Sequence, residues 1–86
     1  MKILKFQTEG TGAVFYQVIS VNESTYTIKA LCRIRKGFLT IRYKNTQEFH
    51  LYKSEVGVNY LEATKKELKR IKEILDESAE VISQAG

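Results

Sequence analysis

Proline is absent from the 86 residues. Nothing therefore kinks a helix or bars a residue from a strand interior on that account. Tryptophan is absent too, and cysteine occurs once, as Cys32. A lone cysteine excludes an intrachain disulfide and a cysteine-based metal site. Cys32 falls among alternating apolar residues, so it is expected as a buried thiol, which fits a reducing, cytoplasmic setting. Histidine also occurs once, as His50. General-base catalysis needs partners, and no nucleophile stands at a suitable spacing, so no enzymatic activity and no catalytic residue is expected. Cys32, His50 and the acids show no ligand spacing, so neither a metal nor a cofactor is expected. Long apolar runs are missing, which speaks against a signal peptide or a membrane span. Gly10-Thr11-Gly12 is too short for a phosphate loop and reads as a turn.

What the sequence has is a segment sorted by charge. Thr25 to Lys44 alternates, and successive strand side chains point to opposite faces. With Lys36-Gly37 as a two-residue hairpin turn, Arg35 opposes Phe38, Arg33 opposes Thr40, Leu31 opposes Arg42 and Lys29 opposes Lys44. One face would carry Lys29, Arg33, Arg35, Arg42 and Lys44 around Leu31, Phe38 and Thr40. The other would carry Tyr26, Ile28, Ala30, Cys32, Ile34, Leu39, Ile41 and Tyr43 as a core. The net charge is +4, but residues 29–53 hold seven Lys/Arg against Glu48, while residues 54–86 hold five against seven acids. So local an excess points to an anionic partner more strongly than the total does.

The rest of the chain extends the pattern. Residues 2–7 read as a first strand and Ala13 to Val21 as a second. A Glu23-Ser24 loop would set Val21 opposite Tyr26, Ile19 opposite Ile28 and Phe15 opposite Cys32, with Phe15, Ile19 and Val21 in the core. That leaves Val14, Tyr16, Val18 and Ser20 on the basic side. A fifth strand, roughly 47–53, is placed so that Phe49 and Leu51 join the core beside Tyr43 and Ile41, with His50 and Tyr52 on the basic face. The last third changes period. Asn59 with Glu62 fits a helix cap, and Leu61, Thr64, Leu68, Ile71, Leu75, Ser78, Ile82 and Ala85 form one stripe of a helix over about 60–83. The expected fold is one α+β domain over 1–86. It is an antiparallel meander of four to five strands over about 2–53, with one long C-terminal helix packed on its apolar face.

A sheet with a cationic, aromatic-bearing face suits single-stranded DNA or RNA, with cations on the phosphates and Tyr16, Phe38 and Tyr52 stacking on bases. Lys65, Lys66, Lys69 and Arg70 add a second basic patch at the start of the helix, the wrong end for the helix dipole. The expected function is a small non-enzymatic nucleic-acid-binding module. The alternative is a protein-binding inhibitor or adaptor, of a size common among mobile genetic elements, that docks on an acidic protein surface. A homodimer is expected as well. A chain this short buries only roughly 60–65% of its unfolded surface, and the helix splits into a basic and an acidic half that two antiparallel copies would match. Leu75, Ala79 and Ile82 are the expected dimer contacts.

Overall fold

Two extra residues decide how this chain folds. The computed structural model describes residues 2–7, 12–35, 40–44 and 46–85, without the side chains of Thr40 and of 77–85. Strands β2 (Gly12–Val21) and β3 (Thr25–Arg35) form a long antiparallel hairpin. Val21 opposes Tyr26 at one end and Phe15 opposes Cys32 towards the other, as the alternation predicts. Between them the register slips by one: Val18, not Ile19, opposes Ile28, and Tyr16 opposes Ala30. Ile19 on β2 and Leu31 on β3 are the unpaired residues. Each bulge reverses which face the following residues meet, and the second undoes the register change of the first.

The consequence is two cores. Cys32 joins Ile3, Ala13, Phe15 and Ile71, with Leu31 and Ile34 packed beside them. Ile28 joins Leu4 and Leu51 on the opposite side of the sheet, with Tyr16, Val18, Tyr26, Val56 and Tyr60. The single core face expected for Tyr26, Ile28, Ala30, Cys32 and Ile34 is therefore split at Leu31. The sheet can afford this because apolar partners wait on either side of it.

The architecture is α+β: one antiparallel sheet followed by one C-terminal helix. Among the described residues the sheet has six strands, one of them off the main path. Strand β1 (Ile3–Gln7) lies beside β2, and β4 (Thr40–Arg42) beside β3. Strand β5 (Phe49–Tyr52) does not continue the meander; it pairs with the first part of β3, past the end of β4. A 3-10 turn at Lys53–Glu55 then carries the chain over the sheet to β6 (Tyr60–Glu62), which pairs with β1 on the far edge. Val56 bridges Tyr60, so this connection closes the sheet over Leu4 and Ile28, both fully buried. Phe6, Tyr60, Tyr16 and Phe49 form a chain of ring contacts with centroids 5.1–5.7 Å apart. Gly57 makes the turn before β6 at φ +95°, which side-chain-bearing residues adopt at a cost.

The helix α1 runs from Lys65 to Ala85, so it starts five residues later than expected. Asn59 and Glu62 do not cap it. Asn59 donates to the Glu55 carboxylate instead, and Glu62 lies in β6. Thr64 and Glu67 supply the cap: the Thr64 N–H donates to Glu67 Oε1 at 2.9 Å, and the Glu67 N–H donates to Thr64 Oγ1 at 3.2 Å. Both sites fit the capping-box spacing. The later one wins because Tyr60 is held in strand pairing and between rings, whereas the residues after Thr64 are strong helix formers. Among the described side chains of the helix Ile71 and Ile74 are buried, and Leu75 packs beside Ile71. No helix among the described residues is long and apolar enough to cross a membrane.

Candidate nucleic-acid interface

The two bulges and the β3–β4 register redistribute the cations. Arg42 opposes Cys32 and Ile41 opposes Arg33, one residue away from the expected pairing of Arg33 with Thr40. Directly paired residues share a face. Arg42 therefore lies on the face of Cys32 that meets α1, whereas Arg33 shares the other face with Val14 and Ile41. Lys29 stands before the Leu31 bulge and opposes Gln17, which opposes Ile3. That puts Lys29 on the side of Arg42. The expected single basic face does not form. Lys29, Arg42 and Lys44 stay together, and Arg33 and Arg35 are separated from them, because the bulge and the register shift cancel for the first set only.

Lys29, Arg42 and Lys44 line one cleft of about 390 Å³ together with Ala30, Leu31, Tyr43 and Thr46. Two hydrogen bonds hold its far wall. The Tyr43 N–H donates to the Leu31 carbonyl at 2.9 Å, and the Thr46 hydroxyl donates to the Ala30 carbonyl at 2.8 Å. Tyr43 was expected in the core and Thr46 in a turn, so these two cleft residues were missed. Tyr43 carries a signal, since it stands between Arg42 and Lys44; Thr46 carries none.

A second cleft, about 350 Å³, lies where α1 meets the ends of β1, β2 and β3. Arg35, Lys66 and Arg70 rim it over Ala13, Phe15 and Ile34. The fold thus joins Arg35 to the helix patch rather than to Arg42. This cleft also contains Lys5 and Glu67, an ion pair at 3.0 Å. Burial pushes the Glu67 carboxyl up, but hydrogen bonds from the Thr64 N–H and from Lys5 outweigh it and hold the group below its usual range. Lys65 and Lys69 are exposed on the helix and line neither of these clefts.

The aromatic candidates divide as well. Tyr16 is not on the basic face. It faces inward between Tyr60 and Phe49, and burial raises its phenol pKa. Tyr52 is 67% exposed beside Asn22, Thr25 and His50, away from the cation cleft. Phe38 lies outside the described residues. Of the expected dimer contacts, Leu75 packs on the core of its own chain. The side chains of Ala79 and Ile82 lie outside the described residues. Burial pushes the Cys32 thiol up to about 11, with Arg42 opposing only in part, so it stays protonated at neutral pH. His50 Nδ1 is 3.1 Å from the Thr27 hydroxyl. Among the described residues no three His, Cys, Asp or Glu side chains come together as metal ligands.

Carboxylates and cations occupy different regions. The ion pairs found are Lys2–Glu62, Lys5–Glu67 and Arg70–Glu73, all on β6, α1 or the β1 segment. Among the described residues no carboxylate pairs with Lys29, Arg33, Arg35, Arg42 or Lys44. Between Ser24 and Gln47 the sequence contains no acid. Against known proteins, no family model, no curated protein and no solved structure matches the chain.

Proposed function

We propose that this chain is a non-enzymatic nucleic-acid-binding module that holds a single strand. The observation that carries the reading is the set of cations on β3 and the Arg42–Lys44 segment that no carboxylate among the described residues neutralises. The like charges of Lys29, Arg42 and Lys44 in one cleft repel. An anionic backbone relieves that repulsion and releases the counterions condensed on it. The exposed Tyr52 offers a face on which a base stacks without sequence reading.

The test is fluorescence anisotropy of a labelled mixed-sequence 20-mer, single- and double-stranded. Binding of the single strand in the micromolar range or tighter at 50 mM salt is expected. With about three phosphate contacts it weakens roughly 20-fold on going to 200 mM. Absence of binding at 50 mM salt overturns the reading. A stoichiometric protein captured from a nuclease-treated lysate, together with no oligonucleotide binding, replaces it with an acidic protein surface as partner.

A further inference from the structure

We propose that the cleft between the Leu31 bulge and the residues Arg42, Lys44 and Thr46 is the site that holds the phosphate of one nucleotide. The inference rests on the nucleic-acid reading above and makes it specific. Lys29, Arg42 and Lys44 come from two separate chain segments and converge on one cleft whose lining residues include no carboxylate. Lys29 and Arg42 share a side because the Leu31 bulge offsets the one-residue shift in the β3–β4 register.

The wall of the cleft is fixed before any ligand arrives. The 2.9 Å bond from Tyr43 to Leu31 and the 2.8 Å bond from Thr46 to Ala30 tie these two residues to β3 across the bulge. Equal charges at Lys65 and Lys69 stand on the exposed helix face and line neither cleft. A cleft of about 390 Å³ is in the size range of small-ligand sites. The other cleft differs in that the Glu67 carboxylate, paired with Lys5 at 3.0 Å, stands among its cations, whereas no carboxylate is among the described residues that line the Arg42 cleft.

A charge-matched comparison tests the site. The labelled probe is a dT 12-mer, measured by anisotropy from 50 to 200 mM salt. Arg42→Ala/Lys44→Ala is expected to weaken binding at least tenfold at 50 mM and to lower the salt slope by about 1.4, the share of two phosphate contacts. Lys65→Ala/Lys69→Ala removes the same charge and is expected to weaken binding less than threefold. Thr46→Val cuts the tether and leaves every charge in place; it is expected to weaken binding severalfold with the slope unchanged. All substituted positions lie outside both cores, and thermal melts of the variants verify their fold. Equal losses from the two double variants overturn the cleft and leave the nucleic-acid reading standing. A wild-type protein that fails to bind the 12-mer overturns both. As a second readout, thymidine 5′-monophosphate is titrated into the wild-type protein and followed by amide NMR. Shifts confined to residues 29–31 and 42–46 support the site, and shifts centred on Lys65–Arg70 overturn it.

Discussion

The two halves of β3 read alike and behave differently. From Thr25 to Ala30 the even-numbered side chains turn toward Leu4 and Leu51, beneath the closing β5–β6 connection. From Cys32 to Arg35 they turn toward Ile71 on the helix. Nothing in the alternation changes at Leu31; the strand simply gains a residue that its partner lacks. A sheet that is apolar on one side only would expose half of its core after such an insertion. This sheet buries apolar residues on either side, so the insertion costs little there and moves Lys29 relative to Arg33. A bulge that is almost silent in the core is therefore decisive for the surface.

Removing the inserted residue is the hardest test of that comparison. Deletion of Leu31 forces one half of β3 to present the wrong face to its core. It is expected to abolish the cooperative thermal transition seen by near-ultraviolet circular dichroism. A deletion variant that melts within a few degrees of the parent would mean that the two halves are interchangeable and the bulge is incidental.

A gentler probe asks whether the cores are separate. Ile28→Val trims one and Ile71→Val the other, each at about 0.5–1.5 kcal/mol. In urea unfolding the double variant should lose the sum of the single losses to within about 0.5 kcal/mol, as sites without shared partners do. A coupling well above that merges the clusters into one core and weakens the contrast.

The helix start sharpens it further, because α1 covers only the Cys32 half. Thr64→Ala removes the observed cap and should cost about 1 kcal/mol, with reduced helical ellipticity. Asn59→Ala, at the cap position that the sequence suggests, should leave ellipticity unchanged. The reverse ranking would place the helix start at Tyr60.

The smallest expected effect is one of pH. The folded-state pKa of Glu67 is below its usual value, because the Thr64 N–H and Lys5 together overcome the opposing effect of burial. A depressed carboxyl contributes stability that is present above its unfolded pKa, about 4.3, and is lost as the pH falls through the folded value. Between pH 6 and pH 3 the parent should lose more of its urea midpoint than Glu67→Gln does. Equal losses would mean that the Lys5–Glu67 pair adds nothing to how the helix is held on its half of the sheet.

Much of this was legible beforehand. The pairs Phe15–Cys32 and Val21–Tyr26 follow from loop length and alternation, and the structure contains them. The change from strand to helix period near residue 60 marks the last element to within five residues. The capping boxes at Asn59 and Thr64 share one spacing, and only the pairing of Tyr60 with Phe6 separates them. Strand β6 is three residues long, too short for a periodicity. For the candidate site, the acid-free run of cations was visible, but its grouping was not. Lys29, Arg42 and Lys44 stay together, Arg33 and Arg35 leave them, and Tyr16 turns inward.

The sequence by itself determined the class of fold, antiparallel strands followed by a helix, and a charge distribution that sets β3 and β4 apart from the acid-bearing last third. Those properties depend on composition and period, which each segment carries alone. The tertiary structure decided which face each residue meets. Alternation defines two sides but does not label them when either can be buried, and one unpaired residue exchanges them. Only packing against Leu4 and Leu51 on one side, and against Ile71 on the other, assigns the labels and with them the place where the cations converge.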